Sequence, residues 1–380
     1  MQHKNKILLL LLLISKLSFA QIENNLYELD SINDLLTSEV QLIISNNIED
    51  KRVVFLGESG HHIGSDFLAK SQFVKYLVDE KGYKDIVFES DFFGLYFDHE
   101  KYNIFPHWSL SVQCQELYKF LEENNVTIWG LDNQTHSYYT YHNFLEKLTN
   151  FMNENALEFK KEFMVLVDKI LKNGSSAKRE IKNNEAEFLI AELDEYLLNE
   201  KVKSNALWHQ ILESFKSTVQ IYTINSNKKD GIPIRDKQMA ENLDFLVNKF
   251  LDKKFIVWVA NSHMAKYEYD FMKGKTMGSQ FVEMNPGTSY HIAVSSIQMP
   301  YRTKRSIEKY INDKDNLLHF LPSIDMNYFI DSKQLIYDNP NFENKQFEGL
   351  FNLDKSKTNW FKHFDALVFI GKGERTETMK

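Results

Sequence analysis

A single cysteine, Cys114, in 380 residues leaves no intramolecular disulfide and no multi-cysteine zinc or iron–sulfur site to consider. Proline and glycine are also scarce. The chain has 6 and 14 of them, against average usage of about 5% and 7%, so tight turns must be few and helices long, which argues against an all-β architecture and against disorder. Basic charge is the minority sign: 45 Lys plus Arg face 53 Asp plus Glu, a formal net charge of −8. Affinity based on neutralising phosphates requires the opposite balance, so neither nucleic acid nor an anionic membrane face is expected as a partner.

Long apolar runs are missing beyond the first twenty residues. At the start, His3, Lys4 and Lys6 precede the run Ile7 to Ile14, Lys16 interrupts it, and Ser18-Phe19-Ala20 supplies small residues. That run is too short for a hydrocarbon core of roughly 30 Å, which takes about 20 residues. It reads as a secretory signal peptide over 1–20. The expected mature chain, 21–380, is an exported protein, periplasmic or secreted, with no membrane partner after cleavage.

What the chain does contain is a recurrence of short apolar runs between longer amphipathic stretches, the pattern of an α/β fold whose largely parallel or mixed sheet is flanked by helices. The expected strands are Val53–Leu56, Asp85–Phe88, Val126–Leu131, Phe255–Ala260, Tyr290–Ser295 and Ala366–Ile370. The stretch 64–80 has Phe67, Val74 and Leu77 on one helical face. Lys70 shares that face, either as a side chain snorkelling at its edge or as a functional cation. From about 136 to 225 the apolar residues keep helical spacing with no strand between them, which predicts a helical insertion.

Four of the strands run into reactive side chains. Val53–Leu56 leads to Gly57-Glu58-Ser59-Gly60-His61-His62, Asp85–Phe88 to Glu89, Val126–Leu131 to Asp132, and Phe255–Ala260 to Asn261-Ser262-His263. In open α/β sheets ligands bind outside the carboxyl ends of the strands, so one sheet edge would collect all four. Two glycines let the backbone turn sharply and bring Glu58 and His61 into one crevice. A carboxylate beside a histidine fixes its tautomer and raises its basicity, as a base acting on water requires. His62 competes for that role. The same His61, His263, Glu58 and Glu89 would alternatively suit a divalent metal, although their spacing is not His-Glu-x-x-His. No dinucleotide, Walker or Gly-x-Ser-x-Gly fingerprint is present, so no cofactor is expected and a serine nucleophile lacks its turn.

Taken in order, Gly57-Glu58-x-x-His61, Glu89, Arg235-Asp236-x-x-Met239-Ala240-Glu241-Asn242 and Val257-Trp258-x-Ala260-Asn261-Ser262-His263 resemble the erythromycin esterase family. Met277-Gly278, Tyr290-x-Ile292 and Phe364-Asp365-Ala366-Leu367-Val368-Phe369-Ile370 extend the resemblance over most of the mature chain. It implies a carboxylic-ester hydrolase that opens a lactone, in that family a macrolide, with water activated by His61, without a covalent acyl-enzyme and without metal. Glu58, Glu89 and His263 match family positions in the cleft. Lys70 stands where the family usually has an arginine, and Ala260 where it usually has a histidine.

The expected catalytic set is therefore His61, Glu58, Glu89 and His263. Lys70, Asp132, Arg235, Asn261 and His62 bind substrate or support the site. Arg235, introduced by Pro233, is expected to start the buried face of a helix and to pair with Glu58 or Asp132. Two other readings stand beside the esterase: a metal-dependent hydrolase built on the same His and Glu residues, and an inactive binding protein of the same fold.

Overall fold

The computed structural model describes residues 24–349 and 356–379; the expected signal peptide lies outside the described residues. Eight strands form one mixed sheet: β1 (Leu26–Leu29), β2 (Val53–Glu58), β3 (Asp85–Asp91), β4 (Thr127–Asp132), β5 (Phe255–Ala260), β6 (Ser289–Gln298), β7 (Asn327–Asp331) and β8 (Ala366–Lys372). Their spatial order is β1-β7-β8-β6-β2-β5-β3-β4. The six strands from β8 to β4 are mutually parallel, and β7 pairs antiparallel with both β8 and β1. The six expected strands are these six parallel ones. Strands β1 and β7, at one end of the sheet, were not expected, because Leu-Tyr-Glu-Leu and Asn-Tyr-Phe-Ile-Asp are too short and mixed to stand out.

Helices cover both faces, which explains why β2 and β5 are buried along their whole length and apolar up to Leu56 and Ala260. The two faces of β2 separate cleanly. Val53 and Phe55 join a core shared with Phe144, Phe215 and Met239, whereas Val54 and Leu56 join one shared with Phe67, Leu77 and Leu117. This alternation is the period-2 consequence of the pleat.

The expected helical insertion is present as helices Tyr138–Glu154, Lys161–Asn173, Asn183–Leu198 and Ala206–Tyr222, with no strand among them. The helix expected to open at Pro233 starts earlier. It spans Lys228–Lys249, capped by the Asn227 side chain on Asp230 N, and Pro233 lies inside it. Among the described residues no helix is long and apolar enough to cross a membrane.

Candidate active site

Strands β2, β5, β3 and β4 are consecutive across the sheet and point the same way. Their carboxyl ends therefore bring Glu58, Ala260 to His263, Glu89 and Asp132 side by side. Gly57 permits this packing, since a Cβ there would sit 2.1 Å from Asn261 Oδ1. Glu89 lies within β3 rather than after it: the register with β4 shifts between Phe88 and Asp91, a bulge that re-aims the side chain. Gly130 makes room for that bulge, because a Cβ on it would meet Asp91 O at 2.3 Å.

The first half of the site is built on Glu58, which is fully buried. Its Oε1 bonds His61 Nδ1 at 2.9 Å, and its Oε2 accepts from Lys70 Nζ. Lys70 is no snorkelling side chain. It is fully buried, lies 3.9 Å from the Trp258 ring centroid, and also donates to Val259 O at 3.3 Å. Burial pulls its pKa down, partly opposed by the Glu58 charge. With Nδ1 engaged, His61 has Nε2 left for chemistry, and its side chain is 41% exposed. Burial alone would lower the imidazole pKa, but the Glu58 hydrogen bond and the charges of Glu89 and Glu58 more than offset it, and the value is raised above 6.5. The ring is held from the side as well: His107 stacks on it at 4.6 Å between centroids and Trp108 meets it edge-on at 5.1 Å.

The second half is built on Arg235. Its guanidinium binds Asp132 through Nε and Nη2, at 2.6 Å for the shortest contact, and reaches Glu89 Oε1 at 2.8 Å. Of the two partners expected for it, only Asp132 is used, since Glu58 belongs to Lys70. Glu89 Oε2 accepts from Ala260 N at 2.9 Å. Although burial raises its pKa, the charges of His263, Arg235 and His61 outweigh this and hold the carboxyl far below the ordinary range. His263 Nδ1 bonds Asp236 Oδ1 at 2.8 Å, and its Nε2 lies 3.2 Å from Arg235 Nη1 and 3.4 Å from Glu89 Oε1. Burial opposes its protonation, yet the Asp236 and Glu89 charges raise its pKa. As a cation the ring donates to Asp236 and Glu89. As a neutral ring it keeps its proton on Nδ1, donated to Asp236, and its Nε2 accepts from Arg235 instead of donating to Glu89.

Two expected residues stand apart. His62 is exposed, 5.8 Å from the Tyr301 ring, with its pKa lowered by burial and by Arg375. Asn261 is buried and donates from Nδ2 to Val294 O at 2.8 Å, linking β5 to β6 beneath the site. Nor do the four residues proposed for a metal form one ligand set. Glu58 is engaged by Lys70 and Glu89 by Arg235, and among the described residues no three His, Cys, Asp or Glu side chains are grouped to hold an ion. Cys114 is buried, and burial pushes its thiol up to about 12, so it is no thiolate at neutral pH.

Sequence reasoning missed Asp236, His107, Trp108 and Asp66. Asp236 was visible as the neighbour of Arg235. It lies on the helix face shared with Met239 and Leu243, all fully buried. Asp66 accepts from Ser59 N at 2.8 Å, Ser59 Oγ at 2.6 Å and Ser296 Oγ at 2.6 Å, anchoring the loop that carries His61.

A family model for erythromycin esterase matches residues 78–299, more than half of the chain. The chain belongs to the erythromycin esterase family. Within that family match lie Glu89, Asp132, Arg235 and His263, while Glu58, His61 and Lys70 precede it. The fold agrees. A Bacillus cereus protein solved as a structural-genomics target superposes on this family member with a TM-score of 0.74 at 20% identity, over 95% of this chain and 98% of that one. A succinoglycan biosynthesis protein gives 0.74 at 14% identity with the same coverage. A mutant of the erythromycin esterase EreC in its open conformation gives 0.68 at 18% identity, over 92% of this chain and 98% of that one. No curated protein sequence matches the chain.

Proposed function

We propose that this family member is an exported hydrolase that cleaves a carboxylic ester or lactone by water activated at His61. The observation that carries the reading is the relay Lys70–Glu58–His61, in which a buried carboxylate is clamped by one cation and holds Nδ1 of a half-exposed imidazole. In this mechanism His61 Nε2 takes a proton from water as its oxygen adds to the ester carbonyl carbon. Glu58 stabilises the imidazolium that results. The carbon–oxygen bond to the alcohol then breaks, and the alkoxide leaves with the proton returned from His61. Arg235 and His263 supply positive charge on the other side of the cleft, where the carbonyl oxygen gathers charge during addition.

General-base catalysis contributes about 10²–10⁴-fold in rate, so His61→Ala should lose that much in kcat/KM. Purified parent and variant assayed on a panel of lactones and simple esters test the assignment. Equal hydrolysis by both proteins would remove His61 from the mechanism.

A further inference from the structure

Two cavities open beside the charged cluster, and they share a wall. One, of about 400 Å³, is lined by Arg235 and His263; the other, of about 590 Å³, by Phe105 and His136. Gln134, Ser175 and Tyr222 line both, so the two form one groove leading from the cluster to the helical insertion. Each volume falls in the range of about 300–1,000 Å³ usual for ligand pockets, but the walls are more polar than such pockets usually are.

The chemistry of those walls is specific. Asn225 in the first cavity and Gln134 in both present side-chain amides, which donate and accept at once, whereas Asn227 is held as a helix cap on Asp230 and Asn173 Nδ2 by Lys169 O. A hydroxyl group has the same double capacity. Phe105, one face of which is covered by His136, and the nearly buried Tyr222 add aromatic surface to the walls, which suits the C–H groups of a saturated ring. His136 Nδ1 lies 2.9 Å from Gln134 O and donates to it, so Nε2 is an acceptor, and that atom is buried behind the wall with no partner among the described residues. Its ring is stacked on Phe105 at 3.5 Å between centroids. Neither lining includes an Asp or Glu among the described residues, and the nearby Glu89 and Asp132 are held by Arg235. An ammonium-bearing substrate would find no counter-charge here. A neutral polyol would find paired donors and acceptors around aromatic faces.

We propose that the substrate is a neutral acylated carbohydrate, its sugar lying in the groove along Gln134 and Tyr222 and its ester carbonyl reaching the space between His61 and His263. This rests on the hydrolase reading above, and deepens it.

The test compares kcat/KM on ethyl acetate, 6-O-acetyl-glucose, an acetylated xylo-oligosaccharide and erythromycin. At least one sugar ester should exceed ethyl acetate by tenfold or more, and this ratio should fall by about tenfold in Gln134→Ala and in His136→Phe. The phenylalanine keeps the stack on Phe105 but removes the Nε2 acceptor together with the Nδ1 bond to Gln134 O, so a thermal melt is taken beside it: a merely structural role of His136 would lower the melt and leave the ratio unmoved. Sugar esters turned over no better than ethyl acetate, or erythromycin preferred to both, would overturn the proposal. Calorimetry of xylotriose and glucose on the His61→Ala protein separates the two readings. Saccharide binding that is weakened by adding His136→Phe supports the groove even where no ester is hydrolysed and the hydrolase reading fails, whereas absence of saccharide binding counts against it.

Discussion

At the scale of single residues, the site works through what each imidazole is bonded to. His61 is raised above 6.5 by Glu58 and Glu89 despite its burial. A base must be unprotonated to act, so activity should rise with pH through a value above 6.5 and be lost below it. Glu58→Gln keeps the shape but removes the charge. It should move this acidic limb to lower pH and reduce kcat, and a pH–rate profile of the variant against the parent checks both; an unmoved limb would mean that another group controls it. His107 is the second residue-scale handle. Burial and the neighbouring His61 lower its pKa to about 4, so it stays neutral and offers His61 a flat ring rather than a charge. We expect His107→Ala to lower kcat by roughly tenfold, an aromatic pair being worth about 0.5–1.5 kcal/mol. His107→Phe should restore most of it, whereas failure of phenylalanine to rescue would show that the ring nitrogens, and not the stack, are used.

At the scale of elements, the carboxyl ends of β2, β5, β3 and β4 are held together by the helix Lys228–Lys249. Its Asn242 donates to Leu131 O at 2.9 Å, one residue before Asp132, while Arg235 closes on Asp132 and Glu89. Removing the guanidinium leaves two buried carboxylates without their cation, a loss of about 3–5 kcal/mol for a buried pair. Arg235→Ala should therefore melt several degrees lower and lose activity together, whereas His61→Ala should lose activity and melt normally; calorimetric scans of both settle whether Arg235 holds the cluster. The helix Gly64–Lys81 has a similar part through Asp66, whose burial raises its carboxyl to about 6. Between its unfolded value near 3.8 and 6 the native state keeps a proton that the unfolded chain releases. Its contribution to stability is thus complete at low pH and is lost as pH rises through 6. The shift amounts to about 3 kcal/mol at 1.36 kcal/mol per unit. Asp66→Asn should flatten the decline in stability between pH 4 and 7 in urea titrations, and an unchanged slope would locate the proton elsewhere.

How much of this was readable from the sequence follows from where each signal resides. The six parallel strands are buried on both faces and so appear as largely apolar runs, and four of them, β2, β3, β4 and β5, hand their last residues directly to the site. The mates of those residues are another matter. Lys70 pairs with Glu58 across twelve positions and Arg235 with Glu89 across 146, and nothing local in the chain indicates which carboxylate takes which cation. His107 and Trp108 belong to a four-residue helix, Pro106–Ser109, too short to show a period.

At the scale of the whole molecule, the last described residues close the site from outside. After β8 the chain crosses back over both loops that hold His61. Glu374 O accepts from Gly64 N at 2.9 Å and Thr376 N donates to His62 O at 3.0 Å, beside His61 itself. Further on, Glu377 O accepts from Val112 N at 2.8 Å and Met379 N donates to Leu110 O at 2.8 Å, just beyond His107 and Trp108. The segment is therefore a strap that fixes His61 and its stacking partner relative to each other. Each backbone bond is worth about 0.5–1.5 kcal/mol net, and these bonds join loops and helix starts rather than the strands of the sheet. Ending the chain at Lys372 should therefore cost a few kcal/mol, leave a cooperative melt, and reduce kcat on any ester substrate more than tenfold by releasing the two loops. Hydrogen exchange would show faster exchange at 61–65 and 107–112 with the remaining strands unaffected. A truncated protein that kept full activity would mean that the two loops hold the His61 geometry without the strap.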